Sequence, residues 1–508
     1  MNQGKDSQKR VCRDEVCETV EGMPGERAMI MYTPFFILLS ISTLTVLSLV
    51  SFAKDLTDTS NRADYVIITS SGYALVAEKL ADFRHRKNGF TTMIVDVDSV
   101  MAQFGKGLSP DTALKSFMQF AVKNWSEPKP QFFVLAGNIN VIPSHPQPET
   151  LLGLGVAPAD SILMIDQWFV DDPVSGGMIT ADACIGRLPA WDSSGLSIMV
   201  DKIIAYESDT SAAWCNRAIS LADYRQEDGS VFEEDAARLR LFLDSLWTDT
   251  VSVHVRSDSP SHLDSTGFVN LWSEGAAIVA YTGHADPILF SYSHYFTTWS
   301  IDSLKNGGRL PVCFLGGCDL TFDTGPEVSI PTHLLDHEGG GAVAVISSEG
   351  LMFENTAVMF YTSLIQTMIK EPDEPLGKVY EATMPAWESD IAHRFTLLGD
   401  PALIAKHSLV STRVTPPSLA PRSFALKQNY PNPFNPTTVI SYQISAVSHV
   451  TLKVYDVIGR LVATLVDEKQ NTGTHSVTFT ADRLPSGVYF YRLEAGSYMD
   501  TKKLVVLK

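Results

Sequence analysis

The chain has 508 residues, with 39 Lys and Arg against 58 Asp and Glu, so its formal net charge is −19 at pH 7. This balance argues against nucleic acid as a partner, because nucleic-acid binders need a basic face that neutralises phosphates. Hydrophobic residues make up 45% and charged residues 19%, which excludes a largely disordered or fibrous protein. The length suggests about two to four domains, and six Cys in so long a chain cannot form a disulfide framework.

An apolar segment near the amino terminus predicts a signal peptide within residues 1–53. Residues 33–53 are almost free of charge, and Ser51-Phe52-Ala53 places small residues where signal peptidase reads, so we expect cleavage after Ala53. The alternative is a membrane anchor, since about 20 apolar residues span a bilayer. Mixed charge before the segment, rather than a basic cluster, favours the signal. Translation is expected to start at Met23, Met29 or Met31, which would leave Cys12 and Cys17 out of the natural protein.

Short apolar runs alternate with amphipathic stretches through the middle of the chain. Strands are predicted at 64–69, 91–97, 131–137, 217–222, 251–255, 276–281, 310–315 and 341–346. Helices are predicted at 73–87, 110–124, 233–246 and 267–274, and the segment between the second strand and the second helix is polar. Strands separated by helices of this length are typical of βαβ units on a mainly parallel sheet.

The amino-acid composition and the hydrophobic pattern of the sequence change after residue 405. Residues 406–423 are rich in Ser, Thr and Pro without a helical period, which indicates a linker. From residue 424 to residue 508, short segments alternate apolar and polar residues and are separated by turns, with strands predicted at 438–443, 449–456, 461–466, 473–480, 487–494 and 498–507. This pattern predicts a small all-β, immunoglobulin-like sandwich.

Two predicted strands each deliver a reactive side chain just past their carboxyl ends. His284 follows the strand predicted at 276–281, and Cys318 follows the strand predicted at 310–315. Sites in open parallel sheets form outside the carboxyl ends of strands. Neighbouring strands would therefore supply a thiol nucleophile and an imidazole that holds it as thiolate or protonates the leaving amine.

Neighbouring residues complete this candidate site. Gly283 and Gly317 let a substrate backbone approach, and the backbone N–H groups of Ala285 and Cys318 can face a developing oxyanion. Both residues also have a purely structural interpretation. A lone Cys at a strand end is commonly a small buried hydrophobic residue, and His284 can be a structural His whose ring nitrogens are satisfied.

A series of short motifs runs in order through residues 64–403. They are Asp64-Tyr65-Val66-Ile67-Ile68-Thr69, Val95-Asp96-Val97, Ile185-Gly186-Arg187-Leu188-Pro189, Lys202-Ile203-Ile204-Ala205-Tyr206-Glu207, Tyr281-Thr282-Gly283-His284, Gly316-Gly317-Cys318, Gly339-Gly340-Gly341-Ala342-Val343-Ala344 and Leu397-Leu398-Gly399-Asp400-Pro401-Ala402-Leu403. In this order they resemble the gingipain-type cysteine peptidases, relatives of caspases, legumain and clostripain. The resemblance implies a caspase-like, mainly parallel sheet flanked by helices, with a catalytic domain at 62–405 and a dyad of His284 and Cys318.

The chain departs from that family's pattern beside both dyad residues. The family usually has Gly after the His, where this chain has Ala285, and Thr before the Cys, where it has Gly317. A downstream Glu of the family is replaced by Ile330-Pro331-Thr332. The resemblance implies chemistry that requires no cofactor. The family's acidic loop, a calcium site, is reduced here to Asp171-Asp172-Pro173 and Gly176-Gly177, which argues against a bound metal.

The carboxyl-terminal region contains a second set of specific motifs. They are the run Leu426 to Thr438 around Pro431-Asn432-Pro433-Phe434-Asn435-Pro436, then Val454-Tyr455-Asp456-Val457-Ile458-Gly459-Arg460, Leu484-Pro485-Ser486-Gly487-Val488-Tyr489-Phe490-Tyr491 and the final Lys502 to Lys508. They resemble the type IX secretion sorting domain. The resemblance implies export across the outer membrane of a bacterium. The alternative is a carbohydrate-binding or spacer sandwich.

Other polar residues are weaker candidates for chemistry. His333 and His337 stand four apart beside Glu338 and can bind zinc from one helix face, although their order is not His-Glu-x-x-His, and an exposed helix surface is the favoured interpretation. Asp400 is interpreted as part of a structural turn. Four further residues either line a substrate pocket or, in the favoured interpretation, belong to a solvated loop: Asp166, Trp168, Asp171 and Asp172.

The sequence therefore favours a secreted or surface-bound cysteine endopeptidase, with protein or peptide substrates and the type IX secretion machinery as partners. We do not expect it to bind nucleic acid or to remain an integral membrane protein after signal cleavage. The alternative is a catalytically weak surface protein that keeps the peptidase fold for binding or adhesion, as Ala285 and Gly317 suggest. A peptidase that processes other exported proteins is disfavoured by the cargo-type sorting domain. No acidic residue marks a specificity pocket, so no Arg or Lys preference is predicted.

Overall fold

The computed structural model of the chain describes a defined set of residues. They are 55–148, 162–173, 179–211, 213–223, 231–255, 259, 261–291, 293–321, 328–350, 354–384, 393–407, 424–429, 431–470, 473–482, 484–496 and 498–507. The predicted signal peptide, Cys12, Cys17, Gly176-Gly177 and most of the predicted linker lie outside these ranges.

A ten-stranded sheet organises the first of the two folded regions. Its strands, in order across the sheet, are β10 (Asp249–His254), β9 (Arg217–Ala222), β11 (Ile278–Thr282), β15 (Val312–Gly316), β16 (Ala344–Ser348), β17 (Phe395–Leu398), β8 (Cys184–Leu188), β3 (Phe132–Ala136), β1 (Tyr65–Thr69) and β2 (Thr92–Asp96). Every neighbouring pair is parallel except β16 and β17. The predicted mainly parallel α/β sheet is therefore confirmed.

Both faces of this sheet are buried, which explains why its strands read as continuous apolar runs. Along β1, Tyr65 and Ile67 pack into one apolar cluster, while Val66 and Ile68 pack into the other. The flanking helices are α1 (Ala74–Asn88), α2 (Val97–Phe104), α3 (Pro110–Asn124), α4 (Ser193–Ser208), α5 (Val231–Asp244), α6 (Ser265–Ser273), α7 (Thr298–Ile301), α8 (Ile330–Asp336), α9 (Glu354–Lys370) and α10 (Leu376–Thr383).

Short antiparallel ribbons project beyond the sheet. They are β4 (His145–Pro148) with β5 (Ile162–Ile165), β6 (Asp171–Pro173) with β7 (Ile179–Ala181), and β12 (Ala285–Asp286), β13 (Leu289–Phe290) and β14 (Phe296–Thr297) as a three-stranded ribbon. The last of these begins directly after His284, so it forms one wall of the candidate site.

Helix α2 falls where the sequence analysis expected only a polar segment. That interpretation was wrong because Val97 and Val100 lie on the buried face of the helix, three residues apart, and Met101 and Phe104 pack against the same apolar cluster. The predicted helix at 110–124 is confirmed as α3, which starts with Pro at its first turn, where no backbone N–H donor is needed.

A buried ion network joins three distant parts of the chain. The Arg84 guanidinium donates to the Asp400 carboxylate at 2.8 Å and to Glu207 at 2.6 Å, and the Arg84 and Asp400 side chains are fully buried. Asp400 also accepts the Ala402 N–H at 2.9 Å. Its predicted structural role agrees with these contacts.

Replacing Asp400 with Ala is expected to lower the free energy of unfolding by about 3–5 kcal/mol, because it leaves the buried Arg84 charge without one of its partners. The matched control is Asp201→Ala. Asp201 pairs with Lys79 at the surface, with side chains 53% and 47% exposed, so its loss should cost no more than about 1 kcal/mol. Urea unfolding of the two variants measures both values, and equal losses would contradict the assignment.

The second folded region is a small β-sandwich. One sheet has the order β18 (Ala425–Leu426), β19 (Thr437–Ile444) and β22 (Gly473–Thr480), and the other has the order β21 (Leu461–Gln470), β20 (Ser448–Tyr455), β23 (Gly487–Ala495) and β24 (Tyr498–Val506). All pairs are antiparallel. Inward-facing residues such as Tyr442, Leu452 and Tyr491 are fully buried in one cluster, which confirms the predicted all-β domain.

Candidate active site

The structure brings the two predicted catalytic residues to adjacent strand ends. Strands β11 and β15 pair in parallel with Thr282 opposite Gly316, and the Gly283 N–H continues the ladder by donating to the Gly316 carbonyl at 3.1 Å. His284 and Cys318 each follow two residues after these register partners. Both strands end one residue later than predicted, which leaves His284 and Cys318 just beyond the sheet. The His284 side chain is 19% exposed and Cys318 is partly exposed.

A third polar residue, Asp223, holds the imidazole. Its carboxylate lies 3.1 Å from Nδ1 of His284 and accepts the His284 backbone N–H at 3.2 Å. Asp223 follows β9, the neighbour of β11 on the side away from β15, and is 2% exposed. An ionised carboxylate can only accept hydrogen bonds, so it favours the tautomer with the proton on Nδ1 and leaves Nε2 as the free base.

The sequence analysis missed Asp223 although a signal was available. Asp223 stands directly after the strand predicted at 217–222, as His284 and Cys318 stand just after theirs. What the sequence did not supply was the order of the strands, which places β9 beside β11 even though β10 comes between them in the chain.

Three more contacts fix the position of His284. The Tyr281 hydroxyl donates to the His284 carbonyl, and the Ser291 N–H donates to the same oxygen at 2.7 Å. The Phe232 ring packs edge-on against the imidazole, with the ring centroids 5.0 Å apart. A Cβ at Gly283 would lie 2.3 Å from the Asp223 Cβ, so the predicted supporting glycine is required by close approach of these groups.

The backbone beside His284 is arranged so that one amide faces away from the neighbouring strand. The His284 carbonyl accepts the N–H of Ser291, the residue directly after β13. This carbonyl belongs to the same peptide group as the Ala285 N–H, and the C=O and N–H of a trans peptide point in opposite directions. The Ala285 N–H therefore points away from β13.

The turn that carries Cys318 is clamped by Ser348 at the end of β16. The Gly317 N–H donates to the Ser348 Oγ at 3.2 Å, and the same hydroxyl donates back to the Gly317 carbonyl. Asp319, directly after the Cys, has a φ of 52°, a left-handed conformation uncommon for a residue with a side chain. Its N–H donates to the Gly350 carbonyl at 2.9 Å, which anchors the far side of the turn.

A buried acid lies beneath this turn. Glu349 is 6% exposed and accepts the Met164 N–H at 3.2 Å. Burial, together with the nearby charges of Asp319 and Asp166, raises the pKa of Glu349 to about 8. Glu349 is therefore mostly protonated at neutral pH and brings little negative charge to the site. The sequence analysis gave it no role.

Two of the four residues interpreted as a solvated loop, Asp166 and Asp171, are instead buried, and Trp168 is partly buried. Asp166 is 2% exposed and forms a two-pronged ion pair with Arg187 of β8, at 2.6 and 2.7 Å. Asp171 is 5% exposed, and its two oxygens meet Gln167 at 3.1 Å and His393 at 2.5 Å. For Asp166 the loop interpretation was wrong because the fully buried Arg187 draws this carboxylate inward to pair with its charge.

The two histidines considered for zinc bind other partners. His333 lies in α8 and its ring contacts Asp336 at 3.0 Å and Asp302 at 2.9 Å, while His337 lies just past the helix end and its Nε2 contacts the Leu304 carbonyl at 3.0 Å. The two residues do not share one helix face as predicted, and the His333 nitrogens are both engaged, so the pair does not fit a zinc site.

The contacts of His333 predict a pH-dependent contribution to stability. Hydrogen bonds to Asp336 and Asp302 raise the pKa of His333 above its ordinary value of about 6.5. Stability gained this way is fully present below pH 6.5 and is lost as the pH rises through the raised pKa. The melting temperature of His333→Gln should therefore fall furthest below that of the parent at about pH 5–6. A difference that stays constant up to pH 9 would contradict this assignment.

A mainly parallel sheet with His and Cys at adjacent strand ends is the architecture of a caspase-like cysteine peptidase. The sequence model of Peptidase family C25 matches residues 58–405, about two thirds of the chain, and the protein belongs to that family. The model of the secretion system C-terminal sorting domain matches residues 428–507. The resemblance to gingipain-type peptidases with a type IX sorting domain is confirmed.

Solved structures show the same fold at low sequence identity. The complex of the Porphyromonas gingivalis RgpB pro- and mature domains is 16% identical with a TM-score of 0.55, and covers 87% of this chain and 100% of that chain. The Arg-specific cysteine proteinase gingipain R (RgpB) is 16% identical with a TM-score of 0.55, covering 88% and 98%. A structure described as a protease is 13% identical with a TM-score of 0.56, covering 89% and 98%. No curated protein matches this sequence.

The sorting domain gives the destination of the chain, which is export to the cell surface or secretion. Among the helices in the described ranges, none combines the length and the apolar character needed to cross a membrane.

Proposed function

We propose that the protein is a secreted or cell-surface cysteine endopeptidase that cleaves peptide bonds through Cys318 and His284. The observation that carries the proposal is the register of β11 and β15, in which Thr282 lies opposite Gly316, so that His284 and Cys318 each follow two residues beyond one pair of register partners. The buried Asp223, bonded to Nδ1 of His284, supports a role for that imidazole as a base.

The reaction follows from the roles of these groups. His284 takes the proton of the Cys318 thiol, and the sulfur attacks the peptide carbonyl carbon. The oxyanion that forms is stabilised by the backbone N–H groups of Ala285 and Cys318. The C–N bond then breaks, His284 gives its proton to the leaving amine, and a thioester remains.

Water completes the cycle. His284 takes a proton from water, which attacks the thioester carbonyl; the C–S bond then breaks and the carboxylic product leaves. The Asp223 carboxylate holds Nδ1 of the ring and stabilises the imidazolium that forms in each half of the reaction. These steps need no cofactor. The direction of the Ala285 N–H, away from β13, supports its proposed part in the oxyanion hole.

The experiment that tests the proposal uses residues 54–508, purified, folded and reduced. We expect the protein to cleave a mixed peptide library, with products identified by mass spectrometry, and we expect prior treatment with iodoacetamide to stop cleavage. The product ends also give the side-chain preference. No cleavage by the folded, reduced protein would overturn the proposal and favour a surface-binding protein that keeps the peptidase fold.

A further inference from the structure

The segments that carry His284 and Cys318 meet at Ala285 and Gly317. A Cβ placed on Gly317 would lie 2.4 Å from the Cβ of Ala285, and 3.1 Å from both the Gly283 carbonyl oxygen and a Leu320 methyl carbon. Carbon atoms in favourable contact stay about 3.5–4.0 Å apart. At this spacing only one of the positions 285 and 317 can carry a side chain.

Neither segment is free to retreat from this contact. The Gly317 N–H and carbonyl are both bound by the buried Ser348 hydroxyl. On the other side, the His284 carbonyl is held by Tyr281 and Ser291, directly before Ala285. The methyl group of Ala285 thus lies between two anchored backbones.

The position of this contact connects it to the chemistry. Ala285 follows His284 and Gly317 precedes Cys318, so any change in their spacing also moves the imidazole, the thiol and the two amides proposed to bind the oxyanion.

We infer that Ala285 and Gly317 form a coupled steric pair in which the Ala285 methyl group sets the spacing between His284 and Cys318. This inference rests on the proposed function. Ala285 is a positioning residue in this role, because its side chain acts through Gly317 and not on the substrate.

Four proteins test the coupling: the parent, Gly317→Ala, Ala285→Gly and the double variant. Gly317 lacks the left-handed φ that would by itself disfavour Ala, so the substitution tests the contact and not the backbone. Gly308→Ala is the control, because a Cβ at Gly308 meets nothing within 4 Å. Three quantities are measured for each protein: kcat and KM for peptide cleavage, the rate at which iodoacetamide alkylates Cys318 at pH 7, and the melting temperature. The alkylation rate is followed on the Cys318 peptide by mass spectrometry.

Gly317→Ala is expected to lower kcat by about 10²-fold, the effect of displacing reacting groups by about 1 Å. It is also expected to slow alkylation of Cys318 by about tenfold, because the imidazole moves away from the thiol and no longer favours the thiolate. In the double variant, which adds Ala285→Gly, kcat should return to within about tenfold of the parent and the alkylation rate to within about threefold. The remaining contacts of the new Cβ, at 3.1 Å, require only small shifts of the neighbouring atoms. The Gly308→Ala control should match the parent.

Two results would overturn the inference: Gly317→Ala with parental kcat and alkylation rate, or a double variant no faster than Gly317→Ala. A fall in the melting temperature of Gly317→Ala without rescue in the double variant would show general misfolding and also count against it. If the parent cleaves no peptide, the proposed function fails, and the alkylation rates still decide whether Ala285 and Gly317 are coupled.

Discussion

Cys318→Ala is expected to reduce peptide cleavage by roughly 10⁴-fold or more, because removing the nucleophile of a coupled catalytic group abolishes the covalent route. Cys318 is the one partly exposed Cys among the described residues, whereas Cys184, Cys215 and Cys313 are buried. Loss of activity should therefore come with an unchanged melting temperature.

The control for this prediction is Cys215→Ala. Cys215 is 1% exposed and lies two residues before β9, at the end of that strand opposite Asp223. Its replacement should leave kcat and KM unchanged. Equal cleavage by the parent and Cys318→Ala, measured on the best substrate from the peptide library, would remove Cys318 from the mechanism.

Asp223→Asn is expected to lower kcat by about 10²- to 10⁴-fold with little change in KM. The amide has nearly the shape of the carboxylate, but it lacks the negative charge that stabilises the imidazolium, and it can present an N–H to Nδ1 and hold the wrong tautomer of His284. The effect falls on kcat because Asp223 is buried behind the imidazole and does not reach the substrate.

Asp264→Asn serves as the matched control. Asp264 caps α6 by accepting the Gly267 N–H at 2.7 Å, and Asn caps a helix about as well as Asp. The same chemical change should therefore leave cleavage unaffected at that position. An Asp223→Asn variant with parental kcat would show that the buried carboxylate has only a structural role.

Much of the parallel sheet was predictable because its strands are buried on both faces and read as continuous apolar runs. The positions of His284 and Cys318 at two strand ends were predictable because they stand just past two such runs. Asp223 was not, since a single Asp after a strand acquires meaning only from which strand lies next to it. The roles of Ser348 and Glu349 depend in the same way on β16 lying beside β15.

Strand β17 was missed for a different reason. It has only four residues, and the following Gly399-Asp400-Pro401 has the composition of a turn, so the segment reads as the end of the domain. Pairing within the sheet, antiparallel to β16 and parallel to β8, decides its structure. Short elements whose conformation comes from their neighbours give little local signal.

The place of β17 in the sheet has a consequence for the order of folding. One half of the sheet, from β10 to β16, carries His284 and Cys318, and the other half, from β8 to β2, is made of the earliest strands. Among the described strands, β17 alone joins the two halves, and it comes from the last part of the catalytic region to be synthesised. Pairings between segments so far apart in the chain are slow to form. The two halves are joined into one sheet only through residues 395–398, so the sheet that carries His284 and Cys318 is complete only when the last part of this region has been made.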